Sequence, residues 1–91
     1  MGLNLYKEEA KVFLESIDAV NESPLKKITF LEEEFNLLKK YLEIDNTDKI
    51  RHQIYDMLFI LFEIAADFDF DLDTEWEIGK EKKSQYNAQA E

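Results

Sequence analysis

The sequence predicts an all-α protein: a bundle of four helices, assembled as a homodimer or larger homo-oligomer. Three observations carry that expectation. Apolar side chains recur every three or four residues through long segments, the period of one helix face. Two glycines and one proline are too little turn material for a series of hairpins or a glycine-rich phosphate loop. The breaks between segments are short and carry residues that cap helix ends. A chain of 91 residues has core enough for one domain, taken as 1–86 with a polar tail at 87–91.

The first helix is expected over 3–20, with Leu5, Tyr6, Ala10, Phe13, Leu14, Ile17 and Val20 on its apolar face. Asn21-Glu22-Ser23-Pro24 stops it. Ser23 as N-cap and Pro24 at the first helical position, where no hydrogen bond is lost, open a second helix over 24–44. Asp45-Asn46-Thr47-Asp48 is the next break, and Asn46 or Thr47 caps a third helix over 48–67. The short segment 68–72 reads as a loop pegged by Phe68, Phe70 and Leu72, with Asp73 near the following helix N-terminus. It imitates the start of a calcium loop, but Leu72 replaces the required glycine and Ile78 the closing glutamate. Thr74-x-x-Glu77 has the form of a capping box and opens a fourth helix that reaches at least Ser84. Trp76 reads as an anchor to the bundle or to a partner.

Charge and composition remove several function classes. A net charge of −10 repels phosphate backbones and anionic bilayers, so neither a nucleic-acid polymer nor a membrane surface is an expected partner. The absence of cysteine excludes disulfides, a thiol nucleophile and thiolate metal sites, and the one histidine, His52, cannot build a histidine-rich zinc site. No targeting signal is read near Met1, and the longest unbroken apolar run, 57–62, is far short of the roughly 20 residues of a membrane span. The expected location is the cytoplasm.

The third helix is the most informative. On a helical wheel, His52, Asp56, Glu63 and Asp67 fall on one narrow stripe, and apolar residues take almost all the rest. A helix so apolar is buried on nearly every side, more than a chain of this length can cover, hence the expected partner subunit. The stripe is either a thin strip turned to solvent or a row of carboxylates held in a cleft, suited to a hard cation such as Mg²⁺. On the second helix Glu34 falls inside the apolar arc near Lys27, where a carboxylate needs a lysine partner or a metal.

Four segments then come in a telling order: Leu31-Glu32-Glu33-Glu34-Phe35-Asn36-Leu37-Leu38, His52-Gln53-Ile54-Tyr55-Asp56-Met57-Leu58-Phe59, Asp69-Phe70-Asp71-Leu72-Asp73, and Gly79-Lys80-Glu81-Lys82-Lys83-Ser84-Gln85-Tyr86. Over residues 30–86 this resembles the MazG-like, all-α nucleoside triphosphate pyrophosphohydrolase superfamily, which includes phosphoribosyl-ATP pyrophosphohydrolase and the dimeric dUTPases. Its pattern is E-E-x-x-E on one helix and E-x-x-D on the next, followed by a "gidl"-like turn and a basic, tyrosine-terminated ending. In that family four carboxylates hold Mg²⁺ against a triphosphate while water attacks and pyrophosphate leaves.

The resemblance implies a metal set of Glu33, Glu34 and Asp56, with Mg²⁺ or alternatively Mn²⁺, and phosphate contacts from Lys80 and Lys83. Two acidic positions are replaced. Gln53-x-x-Asp56 lacks the glutamate of the second motif. In the first, Glu32-Glu33 leaves Asn36 at the third position, whereas Glu33-Glu34 leaves Leu37 there; both registers stay open. Glu63 or Asp67, further along the same stripe, is the candidate substitute ligand, a role that the family pattern itself does not supply. An amide offers a carbonyl oxygen but no charge, so the expected activity on nucleoside triphosphates is weak or absent. The alternative is a non-catalytic homo-oligomeric interaction or regulatory module.

Overall fold

The computed structural model describes the backbone of residues 2–90 and the side chains of residues 2–85, so the side chains of the expected tail at 87–91 and of Tyr86 lie outside the described residues. Four helices follow one another: α1 (Leu3–Ser16), α2 (Pro24–Glu43), α3 (Thr47–Phe68) and α4 (Leu72–Ala90). No strand occurs among the described residues. α3 lies between α1 and α2 and packs on both, while α4 packs chiefly on α1.

The caps explain the boundaries. Ser23 accepts from the Leu25 amide, and Asn46 accepts from the Lys49 amide at 3.2 Å, opening α2 and α3 as their sequences require. α1 ends at Ser16, earlier than its apolar spacing suggests. Asp18 adopts a left-handed conformation there (φ 56°), and the amides of Asp18 and Ala19 turn back to the carbonyls of Glu15 and Leu14. This is the Schellman ending, usually built on glycine. Asp45 ends α2 in the same way (φ 56°), and Asp69 ends α3 (φ 53°). In a chain with two glycines, three aspartates take the left-handed position, which their short polar side chains tolerate better than other residues do.

α4 starts at Leu72 rather than Thr74. Asp71 is its cap, accepting from the Thr74 amide at 3.1 Å and hydroxyl at 2.8 Å, while Glu77 pairs with Lys80 instead of closing a capping box. Asp73 does not serve its own helix. Its carboxylate accepts from the amides of Leu3 and Asn4, and so caps α1; Asn4 in return accepts from the Leu72 amide at 2.8 Å and donates to Asp71. The Asn4 and Thr74 hydrogen bonds pull the Asp71 carboxyl down to about 2. Nor do Phe68 and Phe70 peg the α3–α4 junction. They stack on each other in the open, with ring centroids 5.0 Å apart, and the buried Lys7 holds the junction by donating to Asp69 and to the Phe70 carbonyl.

Candidate functional site

The acidic stripe of α3 does not face solvent. Asp56, Glu63 and Asp67 are all half-buried, and only His52 at the N-terminal end is exposed. They lie on the side of α3 that looks into the space flanked by α1 and α2, called here the front. What α3 turns outward is apolar: Ile54, Leu58 and Leu61 are each 48% exposed. The reading of the stripe as a thin solvent-facing strip is therefore corrected.

α2 meets this front through a row at heptad spacing: Pro24, Lys27, Leu31, Glu34, Leu38 and Tyr41, all buried or half-buried between more exposed neighbours. Two polar members of the row take partners on α3. Lys27, 2% exposed, forms an ion pair with Asp67 at 2.5 Å. Glu34 accepts a hydrogen bond from the buried Gln53 amide. The expected lysine partner of Glu34 is thus an amide, because Lys27 lies two turns nearer the start of α2 and reaches the far end of the antiparallel α3.

Glu63 belongs with the lysine. Burial pushes its carboxyl above the ordinary value, Lys27 opposes that rise, and Asp67 and Glu22 reinforce it. One ammonium stands among two carboxylates of the same stripe: it pairs with Asp67, and its attraction offsets only part of the burial cost of Glu63.

At the other end, Glu34 and Asp56 border one open cavity of about 480 Å³, together with Phe13, Tyr55, Phe59 and Ile60. The volume is in the range of small-molecule sites. Gln53 donates to Glu34, and Asp56, one turn further along α3, borders the same cavity as Glu34. Asn36 is elsewhere: with Glu32, Phe35 and Met57 it lines a separate groove. Glu33 is exposed. Lys80 and Lys83 do not line the Glu34–Asp56 cavity. They stand on α4 beside Trp76, which is more than half exposed, and Lys80 is paired with Glu77. Among the described residues, no three His, Cys, Asp or Glu side chains converge as a metal-holding group.

The sequence reading did not bring Phe13, Tyr55 and Phe59 to the site. Their pairing, with Phe13 edge-on to Phe59 at 5.3 Å, depends on how α1 lies along α3. No helix among the described residues is long and apolar enough to cross a membrane. No family model, no curated protein and no solved structure matches the chain.

Proposed function

We propose that this chain is a MazG-like nucleotide pyrophosphohydrolase-fold protein with an incomplete Mg²⁺ motif, homo-oligomeric and cytoplasmic, binding a nucleoside triphosphate with weak or no hydrolysis. The observation that carries the reading is the meeting of Glu34 with Gln53 beside Asp56 at one cavity. Residues 19 and 22 positions apart in sequence, chosen from two motifs, come to the same place. The contact favours the register in which Glu33-Glu34 is the acidic pair.

The donor set suits Mg²⁺ held in part by its substrate, since this ion binds through one or two carboxylates, phosphate oxygens and water. Glu34 and Asp56 would hold it, and bound there it would offset phosphate charge and polarise the attacked phosphorus or the water. The rings of Phe13, Tyr55 and Phe59 offer apolar faces to a base or sugar.

Gln53 sets the expected level of activity. A glutamate at this place would face Glu34 as a second carboxylate and call for a cation. The amide instead donates to Glu34 and satisfies it without one. That same bond favours the second reading, a non-catalytic homo-oligomeric interaction or regulatory module.

Pyrophosphate release from a panel of (deoxy)nucleoside triphosphates, with Mg²⁺ and with Mn²⁺, tests the proposal. The Gln53→Glu variant is expected to exceed the wild type by about tenfold or more, the effect of one additional metal-facing charge. Asp56→Asn should remove the gain. If neither protein binds a nucleotide or responds to Mg²⁺ by thermal unfolding, the nucleotide reading fails and the module reading stands.

A further inference from the structure

The outward side of α3 is a ridge between two grooves. Ile54, Leu58 and Leu61 form the ridge. Toward α1 lies an apolar groove of about 280 Å³ lined by Tyr6, Tyr55, Leu58 and Phe62. Toward α2 lies another of about 400 Å³ lined by Ile28, Leu31, Phe35 and Met57. Charged residues are confined to one position in each, Glu9 and Glu32. An arrangement with the stripe of carboxylates inside and the apolar ridge outside is the reverse of what water favours for an isolated bundle.

The area agrees. The chain exposes 7097 Å², against about 5,500 Å² for a globular monomer of its 10.8 kDa mass. Its radius of gyration is 15.6 Å, against about 12 Å for a compact chain of this length. Part of the excess is α4 leaving the three-helix body. The open face of α3 is another part, and a stable homodimer usually buries roughly 1,000 Å² or more per subunit.

We infer that the α3 ridge and its two grooves are the interface between two copies of this chain. The ridge of each copy fits the groove of the other, as ridges pack into grooves between helices, and the contact is isologous because one surface carries both shapes. A near-chargeless apolar patch is the composition of a permanent homodimer rather than of a transient partner surface. The two copies carry −10 each, so their net charges oppose the contact, and added salt tightens it by screening. This inference rests on the homo-oligomeric part of the proposed function and is independent of its nucleotide part.

Sedimentation equilibrium at micromolar concentration decides it. The wild type should be a dimer, tighter in 0.5 M than in 0.02 M NaCl. Leu58→Arg should raise the dissociation constant by at least about 30-fold, whereas Val12→Arg, on the side of α1 opposite its buried Ala10 and Leu14, should not. Should Leu58→Arg fail to fold, disulfide trapping replaces it, clean in a chain without cysteine: Leu58→Cys should form covalent dimers on mild oxidation and Val12→Cys should not. A wild type monomeric at all concentrations overturns both the interface and the oligomeric reading. A wild-type dimer indifferent to Leu58→Arg, or trapped only through Val12→Cys, overturns the interface alone. Unchanged Mg²⁺ and nucleotide responses in either case leave the nucleotide reading where its own test puts it.

Discussion

The front and the back of α3 are built on opposite principles. The front is polar: Lys27 meets Asp67 near Glu63 at one end, and Glu34 meets Gln53 beside Asp56 and an open cavity at the other. The back is apolar and open, with Ile54, Leu58 and Leu61 all about half exposed. Burying an ion pair is no route to stability in itself, because removing two charges from water costs about as much as their attraction returns. Leaving leucines on the surface of a small domain forgoes burial that it can hardly spare. Both departures make sense if the front is kept for chemistry or recognition and the back for another copy of the chain. The difference teaches how thin the core of one chain is: among the described residues its buried apolar members are Ala10, Leu14, Ala19 and Ala65, while leucines of α3 stay half exposed.

The largest expected effect breaks the front. Lys27→Met leaves Asp67, with an 11% exposed side chain, and the half-buried Glu63 without their cation, and should cost about 3–5 kcal/mol in urea unfolding. Adding Asp67→Leu and Glu63→Gln to the same chain should return most of the loss, since an apolar or neutral cluster of similar shape carries no unpaired charge. Failure of the combined variant to recover would mean that the lysine is held for packing along its stem rather than for its charge.

A smaller effect separates burial from pairing at Glu63. Its carboxyl titrates above the ordinary carboxylate value in the folded protein, chiefly through burial, so the folded state binds the proton more tightly than the unfolded one. Stability from this group is complete below the unfolded value of 4.5 and falls as pH rises through the folded one. Glu63→Gln should therefore raise the melting temperature at pH 7 and change it little at pH 4. A loss at pH 7 would show that attraction to Lys27 outweighs burial. Asp71 runs the other way: its contribution is present above the usual 3.8 and is lost as pH falls toward about 2.

The smallest effect lies on neither face and calibrates the others. Asp45→Gly removes a side chain from a left-handed position at the end of α2 and should stabilise the protein by about 0.5 kcal/mol in urea unfolding. It should leave the oligomeric state and any Mg²⁺ response untouched. A destabilisation would mean that the Asp45 side chain does more at the turn than tolerate its backbone angle.

Four helices, their order and most of their ends were legible in the sequence, because a helix is a local object. Its hydrogen bonds span four residues, and Ser23 with Pro24, or Asn46, act on the turn beside them. The same locality accounts for what was misread. Asp18 ends α1 early by adopting an angle that its type permits but does not announce, and Thr74 lost the capping role to Asp71, which was equally suited. The candidate site was legible as residue types on faces: Glu34 in the apolar arc of α2, Asp56 on the stripe of α3. A periodic pattern specifies which residues share a face and says nothing of what that face meets. Only the packing of α2 against α3 decided that Glu34 meets Gln53 while Lys27 goes to Asp67, and that Asn36 falls in a different groove. Only the lie of α1 brought Phe13 to the cavity and let Asp73, some seventy residues away, cap the first helix. Those partners are set by inter-helix register, a sum of many weak contacts between distant segments that no local pattern encodes.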